Sequence, residues 1–135
     1  MGYNTEFFGR FNTSKELTKE QIEYLIMFSE SRRLKRDPTK ISKQKNVNKR
    51  CLELLKILNL PIGKEGEFYC GKEDYNELNE SIINYNHNPT TQPGLSCDWI
   101  PNEDGSSIIQ SGMEKFYEYV EWIEYMIESF FKPWE

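Results

Sequence analysis

The chain has one histidine, His87, in 135 residues. That scarcity removes most zinc sites and any chemistry that needs a pair of imidazoles. Cysteine is nearly as sparse: Cys51, Cys70 and Cys97 are odd in number and stand 19 and 27 residues apart. This is neither a disulfide framework nor a metal-ligand spacing, so three reduced thiols in a cytoplasmic protein are expected. No glycine-rich phosphate loop occurs, since neither GxGxxG nor GxxxxGK[ST] is present, and "GKEG" at 63–66 reads as a turn. No apolar run approaches the roughly 18 residues that span a bilayer. The N-terminus lacks the basic-then-apolar layout of a signal peptide, and Glu6 stands where a myristoylation motif needs Ser or Thr. No cofactor, no metal and no membrane association are therefore expected.

What is present fits one globular domain over residues 1–135, with 37% hydrophobic and 29% charged residues. Eight Phe, eight Tyr and three Trp let a chain of this size bury a large apolar area. The net charge of −5 hides an asymmetry. Residues 32–50, "RRLKRDPTKISKQKNVNKR", hold nine Lys or Arg against Asp37 alone, a local +8 against −13 in the remainder. Such a block signals a solvated segment or an anionic partner.

Residues 3–12, "YNTEFFGRFN", read as a first strand. Thr18 and Gln21 have capping-box spacing and open a helix with Leu17, Ile22, Leu25, Ile26 and Phe28 on its apolar side. It is expected to fray before Pro38 and give way to a basic loop over 37–46. Val47, Cys51, Leu54, Leu55 and Leu58 recur at helical spacing and predict a second helix. "EGEFYCG" (65–71) reads as a strand, and Tyr75, Leu78 and Ile82 are spaced as one or two helical turns. "LSCDWIP" (95–101) alternates, with Leu95, Cys97 and Trp99 on an inner face. "NEDGS" is a turn that leads to "SIIQS" as the partner strand of a hairpin. Ser111 and Glu114 cap a last helix whose stripe is Phe116, Val120, Ile123, Ile127 and Phe130, widened by Tyr119, Trp122 and Met126. The expected fold is a single small α+β domain, with a mostly antiparallel sheet of about four strands and two or three helices packed on one face.

Three kinds of site can be built from these residues. Arg32, Arg33, Lys35 and Arg36 form a candidate anion-binding patch that nucleic acid would use, although they also complement the negative end of the first helix. Asp98, Glu103 and Asp104 could supply paired carboxylates to a small enzyme acting on a nucleotide-like anion, against the simpler reading of a charged turn. A groove lined by Tyr85, Gln92, Asp98, Trp99 and Tyr119, between the 84–107 loop and the last helix, is the candidate ligand site. The spacing of His87 and Cys97 is compatible with a dyad, but Cys97 is expected on the inner face, where thiols are normally inert. No catalytic residue is assigned.

The stretches "MGYNTEFFGRF", "QPGLSCDWIPNEDG" and "EKFYEYVEW", with "FSESRRLKRD" and "LPIGKEGEFYCG" between them, carry a resemblance. They are similar to a small family of bacterial, phage and large-DNA-virus proteins with the signature MGYxTxFxGxF / QPGLxCxWxPxEDG / EKFYxYVEW, over nearly the whole chain. The resemblance implies a viral or phage-type accessory protein in the host cytoplasm, with no catalytic residue or cofactor to carry over. Ser96 stands where such proteins usually have Trp. They also continue past "KPWE" through a further hairpin, whose absence would leave a sheet edge open to strand addition. The expected function is non-catalytic binding, by contact with a host or self protein (a homo-oligomer included) or by sequestering a small ligand. Nucleic-acid binding through 32–50 is the first alternative, and the carboxylate enzyme is the second.

Overall fold

The first helix begins where its cap demands. The Thr18 hydroxyl accepts from the Gln21 backbone N–H at 3.1 Å, and the Gln21 carboxamide oxygen accepts from the Thr18 N–H at 2.9 Å. From this closed box α1 runs Lys19–Glu30 and buries Tyr24, Leu25 and Phe28, spaced to share one face. Residues 10–13, 15–43, 47–71, 81–84, 87–110 and 119–134 of this computed structural model are described below.

α1 ends well before Pro38. Ser31 is already extended, with φ −100° and ψ 139°. The backbone N–H of Arg33 donates to the Leu95 carbonyl at 2.8 Å, and its side chain turns inward. The chain then forms a strand, β2 (Lys35–Arg36), rather than more helix. The expected basic loop is partly helical too. Asp37 caps α2 (Pro38–Ile41) by accepting from the Thr39 N–H, and Pro38 occupies the first turn, where its missing N–H costs nothing.

The second predicted helix forms as its spacing requires. α3 (Lys49–Ile57) is capped by Asn48 and buries Cys51, Leu54 and Leu55. The expected strand at 65–71 does not form. Tyr69 N–H bonds the Gly66 carbonyl and Phe68 N–H bonds the Ile62 carbonyl, so this segment is a pair of turns. Gly66 takes φ +66°, a value a strand cannot hold. The predicted turns of helix around Tyr75 and Leu78 lie outside the described residues. β3 (Ile82–Asn84) pairs antiparallel with β2, and Ile82 is thus part of a strand.

The remaining strands form a second antiparallel sheet in the order β1-β5-β4, from β1 (Arg10–Asn12), β4 (Trp99–Pro101) and β5 (Ser107–Gln110). The earlier part of the predicted first strand, residues 3–9, lies outside the described residues. Phe11 stands opposite Ile108, and Ile100 opposite Ile109. The described chain is a small α+β domain with two small antiparallel sheets. Among the described residues no helix is long and apolar enough to cross a membrane.

The last helical segment comprises α4 (Tyr119–Met126), a π-helical turn at Ile127–Phe131 and a final helical stretch, α5 (Lys132–Trp134). Its core face is Trp122, Ile123, Met126 and Phe130. The predicted stripe is corrected here. Ile123 and Phe130 are buried, but Val120 is 47% exposed and Ile127 38% exposed. Phe116 and the predicted cap at Ser111 and Glu114 lie outside the described residues. Trp122 and Met126 carry more apolar surface than Val120, so turning their side inward removes more area from water. The π turn then brings Phe130 into the core. Its ring centroid lies 5.3 Å from that of Phe28, 5.7 Å from Tyr24 and 5.4 Å from Trp134.

The β4–β5 turn closes on Gly105, at φ +76°. Its carbonyl accepts from the Leu17 N–H at 3.0 Å and from the Thr13 hydroxyl at 3.1 Å, so the turn also anchors the segment entering α1. A Cβ at Gly105 would sit 3.0 Å from the Leu17 backbone N and O, which cannot move without losing that bond. Gly105→Ala should therefore cost about 2 kcal/mol or more of stability, read as a lower urea midpoint with an unchanged slope.

Candidate functional site

Two of the cations proposed as an anion patch are interior. Arg33 is 2% exposed and Arg36 3% exposed. Arg33 donates to the carbonyls of Ser31 at 3.3 Å, Glu67 at 3.1 Å and Tyr69 at 3.0 Å, and to the Ser31 hydroxyl. Its guanidinium carbon sits 4.1 Å from the Phe28 ring centroid. Arg36 donates to the Ser81 hydroxyl at 3.0 Å and lies 5.0 Å over the Tyr69 ring. Lys35 pairs with Glu65 at 3.4 Å, and Arg32 is half-buried. The patch is thereby corrected: Arg33 and Arg36 are turned inward and bonded within the protein, out of reach of a phosphate in solvent, which leaves only Arg32 and Lys35 partly accessible.

The proline-rich loop is stitched down in the same way. Gln92, 5% exposed, donates through Nε2 to the Glu67 carbonyl at 2.7 Å and to the Tyr125 hydroxyl at 3.0 Å. Asn88 Nδ2 donates to the carbonyls of Pro89 and Gln92. The Thr90 N–H and hydroxyl both donate to Glu65, and the Thr91 hydroxyl donates to Glu67. Trp99 is 1% exposed, and its indole N–H donates to the Tyr119 carbonyl at 2.8 Å. Tyr119 is exposed and Tyr85 lies outside the described residues. Among the described residues the groove predicted between loop and helix is therefore not open: Gln92, Asp98 and Trp99 are packed, and the Gln92 amide nitrogen and the Trp99 indole N–H hold neighbouring segments.

The carboxylates do not converge as a pair. Asp104 Oδ1 accepts from the Ser106 N–H at 2.9 Å and the Ser106 hydroxyl at 2.6 Å, bonds that hold its carboxyl below the usual range. Glu103 is exposed on the same turn. Asp98 is 7% exposed, and burial raises its carboxyl. Cys97 is buried, its thiol is pushed up to about 12 by that burial, and its sulfur lies 3.7 Å from that of Met126. The His87 side chain is exposed. A thiol held protonated in this way makes no thiolate–imidazole dyad.

An open concavity lies elsewhere. A groove of about 450 Å³ runs between β1, the segment entering α1 and the last helical segment. Ile108 and Ile123 form its buried floor, and Phe11, Ile127, Phe131 and Trp134 its walls. Lys15 and Glu16 also line it, one cation and one anion with no net charge between them. Thr13, Thr18 and Gln21 also line it, but their side chains are engaged by the Gly105 turn and the capping box. The Trp134 indole N–H is buried and has no hydrogen-bond partner among the described residues. None of these walls is assigned to a site by sequence reasoning. The available signal is the width of the last helix's apolar side, which exceeds what one core face can cover.

No protein-family model, curated protein or solved structure matches the chain.

Two variants test these placements. Arg33→Met strips charged donors from the carbonyls of Glu67 and Tyr69 inside the protein, and should cost about 3 kcal/mol of unfolding free energy in urea. Asp98→Asn tests the raised carboxyl. Below the ordinary aspartate range both folded and unfolded chains hold the proton. As pH rises through about 4 the unfolded chain ionises first, so the wild type loses stability that the amide keeps. The stability difference should therefore shift toward the Asp98→Asn variant as pH rises through and above the ordinary aspartate range, measured by urea titration at each pH.

Proposed function

We propose that the protein is a non-catalytic binding protein that sequesters a small, uncharged, largely apolar ligand in the groove between β1 and the last helical segment. The observation that carries this reading is the groove itself: about 450 Å³, walled by Phe11, Ile127, Phe131 and Trp134 over a floor of Ile108 and Ile123. That volume falls in the range of small-molecule sites, which are apolar with a few placed polar groups. Lys15 and Glu16 cancel, which favours a neutral ligand over an anion. The viral or phage-type accessory role implied by the signature segments is part of the same proposal. So is a reducing cytoplasm, supported by three free, buried thiols.

The test is titration with N-phenyl-1-naphthylamine, a neutral apolar fluorophore, alongside Ile127→Glu. Saturable one-site enhancement is expected, weakened at least about tenfold by the variant, which places a charge on the groove wall. Because Ile127 is 38% exposed, the variant should unfold close to the wild-type temperature. Absent saturation, or undiminished binding by the variant, would refute the proposal. A wild-type dimer in light scattering that Ile127→Glu dissociates would instead make the groove a contact between copies.

A further inference from the structure

The groove leaves one cluster of reactive groups unused. Cys51, in the first turn of α3, accepts through its sulfur from the Cys70 backbone N–H at 3.1 Å. The Cys70 carbonyl accepts from Asn48 Nδ2 at 2.9 Å, and the Asn48 N–H donates to the Tyr69 hydroxyl at 2.7 Å. Both polar ends of the Cys70 residue are thus fastened to the start of α3. The two thiols are side-chain neighbours, and the Ser31 hydroxyl and the Arg33 guanidinium lie beside the Cys70 sulfur.

Arg33 supplies the reason for reactivity. Its acceptors are the Ser31, Glu67 and Tyr69 carbonyls and the Ser31 hydroxyl, all neutral, and among the described residues it has no carboxylate within ion-pair distance. A buried cation without a counter-charge is costly, so an anion forming beside it is strongly favoured. Burial raises the Cys70 thiol, but the Cys51 thiol, Arg33 and Ser31 together outweigh it and bring Cys70 below its ordinary value. Cys51 moves the other way, raised by the neighbouring Cys70 thiol and by burial, which outweigh the lowering by the Cys70 backbone N–H.

We propose that Cys70 is a hydroperoxide-sensitive thiol which Cys51 resolves into an intramolecular disulfide. The Cys70 thiolate attacks one oxygen of the hydroperoxide, forming an S–O bond as the O–O bond breaks. The other oxygen leaves with a proton as water or an alcohol. Cys51 then attacks the sulfenic sulfur, an S–S bond replaces the S–O bond, and the Cys51 proton departs with hydroxide as water. Two thiols lose two electrons and the peroxide gains them. With Cys70 1% and Cys51 0% exposed, the oxidant enters through local opening of the 65–71 turns, so the reaction is slower than at an open thiol. Cys97 is the internal control, buried and held protonated at neutral pH.

The experiment treats the full chain with hydrogen peroxide and maps its peptides without reduction. A Cys51–Cys70 link with Cys97 free is the expected product, in molecules whose circular dichroism shows them still folded. In Cys51→Ser the Cys70 sulfenic acid should persist and be trapped by dimedone. With iodoacetamide at neutral pH, Cys70 should react about tenfold faster than Cys97. A link involving Cys97, a Cys70 that stays reduced, or equal alkylation of Cys70 and Cys97 would overturn the proposal.

Discussion

Arg33, just beyond the end of α1, puts a guanidinium into the interior, where it binds the Ser31 carbonyl and the Glu67 and Tyr69 carbonyls of the 65–71 turns, against the Phe28 ring. Its backbone N–H reaches Leu95. One residue therefore ties together three stretches distant in sequence, and the rest of the structure depends on that tie. The turns at 65–71 have no ladder to satisfy their carbonyls, and a planar fork of five donors is the side chain best shaped to do so. The interior charge this brings is the origin of the electropositive setting at Cys70.

Around that anchor the aromatics divide the labour. Phe28 and Phe130 stand at the centre, and Tyr24, Phe68, Trp122, Tyr125 and Trp134 meet one or both of them edge-on, tilted or stacked. Edge-on pairs place a ring's positive rim against a negative face, which favours interlocking over parallel layers. The π turn at Ile127–Phe131 is what lets Phe130 join this cluster while Ile127 stays at the surface. The same local change of register that completes the core leaves apolar wall on the outside, and the groove is its result.

The polar loop at 84–107 serves the scaffold. The Asn88 and Gln92 amide nitrogens and the Thr90 and Thr91 hydroxyls bond Glu65, Glu67, Tyr125 and the loop's own carbonyls. Density of Asn, Thr and Pro is a mark of chain reversal, because these side chains replace the hydrogen bonds that irregular backbone lacks. Capacity of other kinds lies in the apolar side chains beside Trp134, and in two thiols beside a buried cation.

By itself the sequence determined the features that depend on neighbours in the chain. The Thr18–Gln21 cap, the helix through Cys51, Leu54 and Leu55, the inner face of Cys97 and Trp99 and the hairpin at Gly105 are local patterns, set by dihedral preference and periodicity. The arginines at 32–36 read as a surface patch in sequence, whereas burial of a cation is decided by distant carbonyls that no local pattern announces. Nor could spacing say which side of the last helix faces inward, since apolar residues cover most of its circumference. Tertiary structure made that choice by packing the largest rings together. In doing so it placed the groove and brought Cys70 to Cys51, because the free energy of both arrangements comes from contacts between segments remote in sequence.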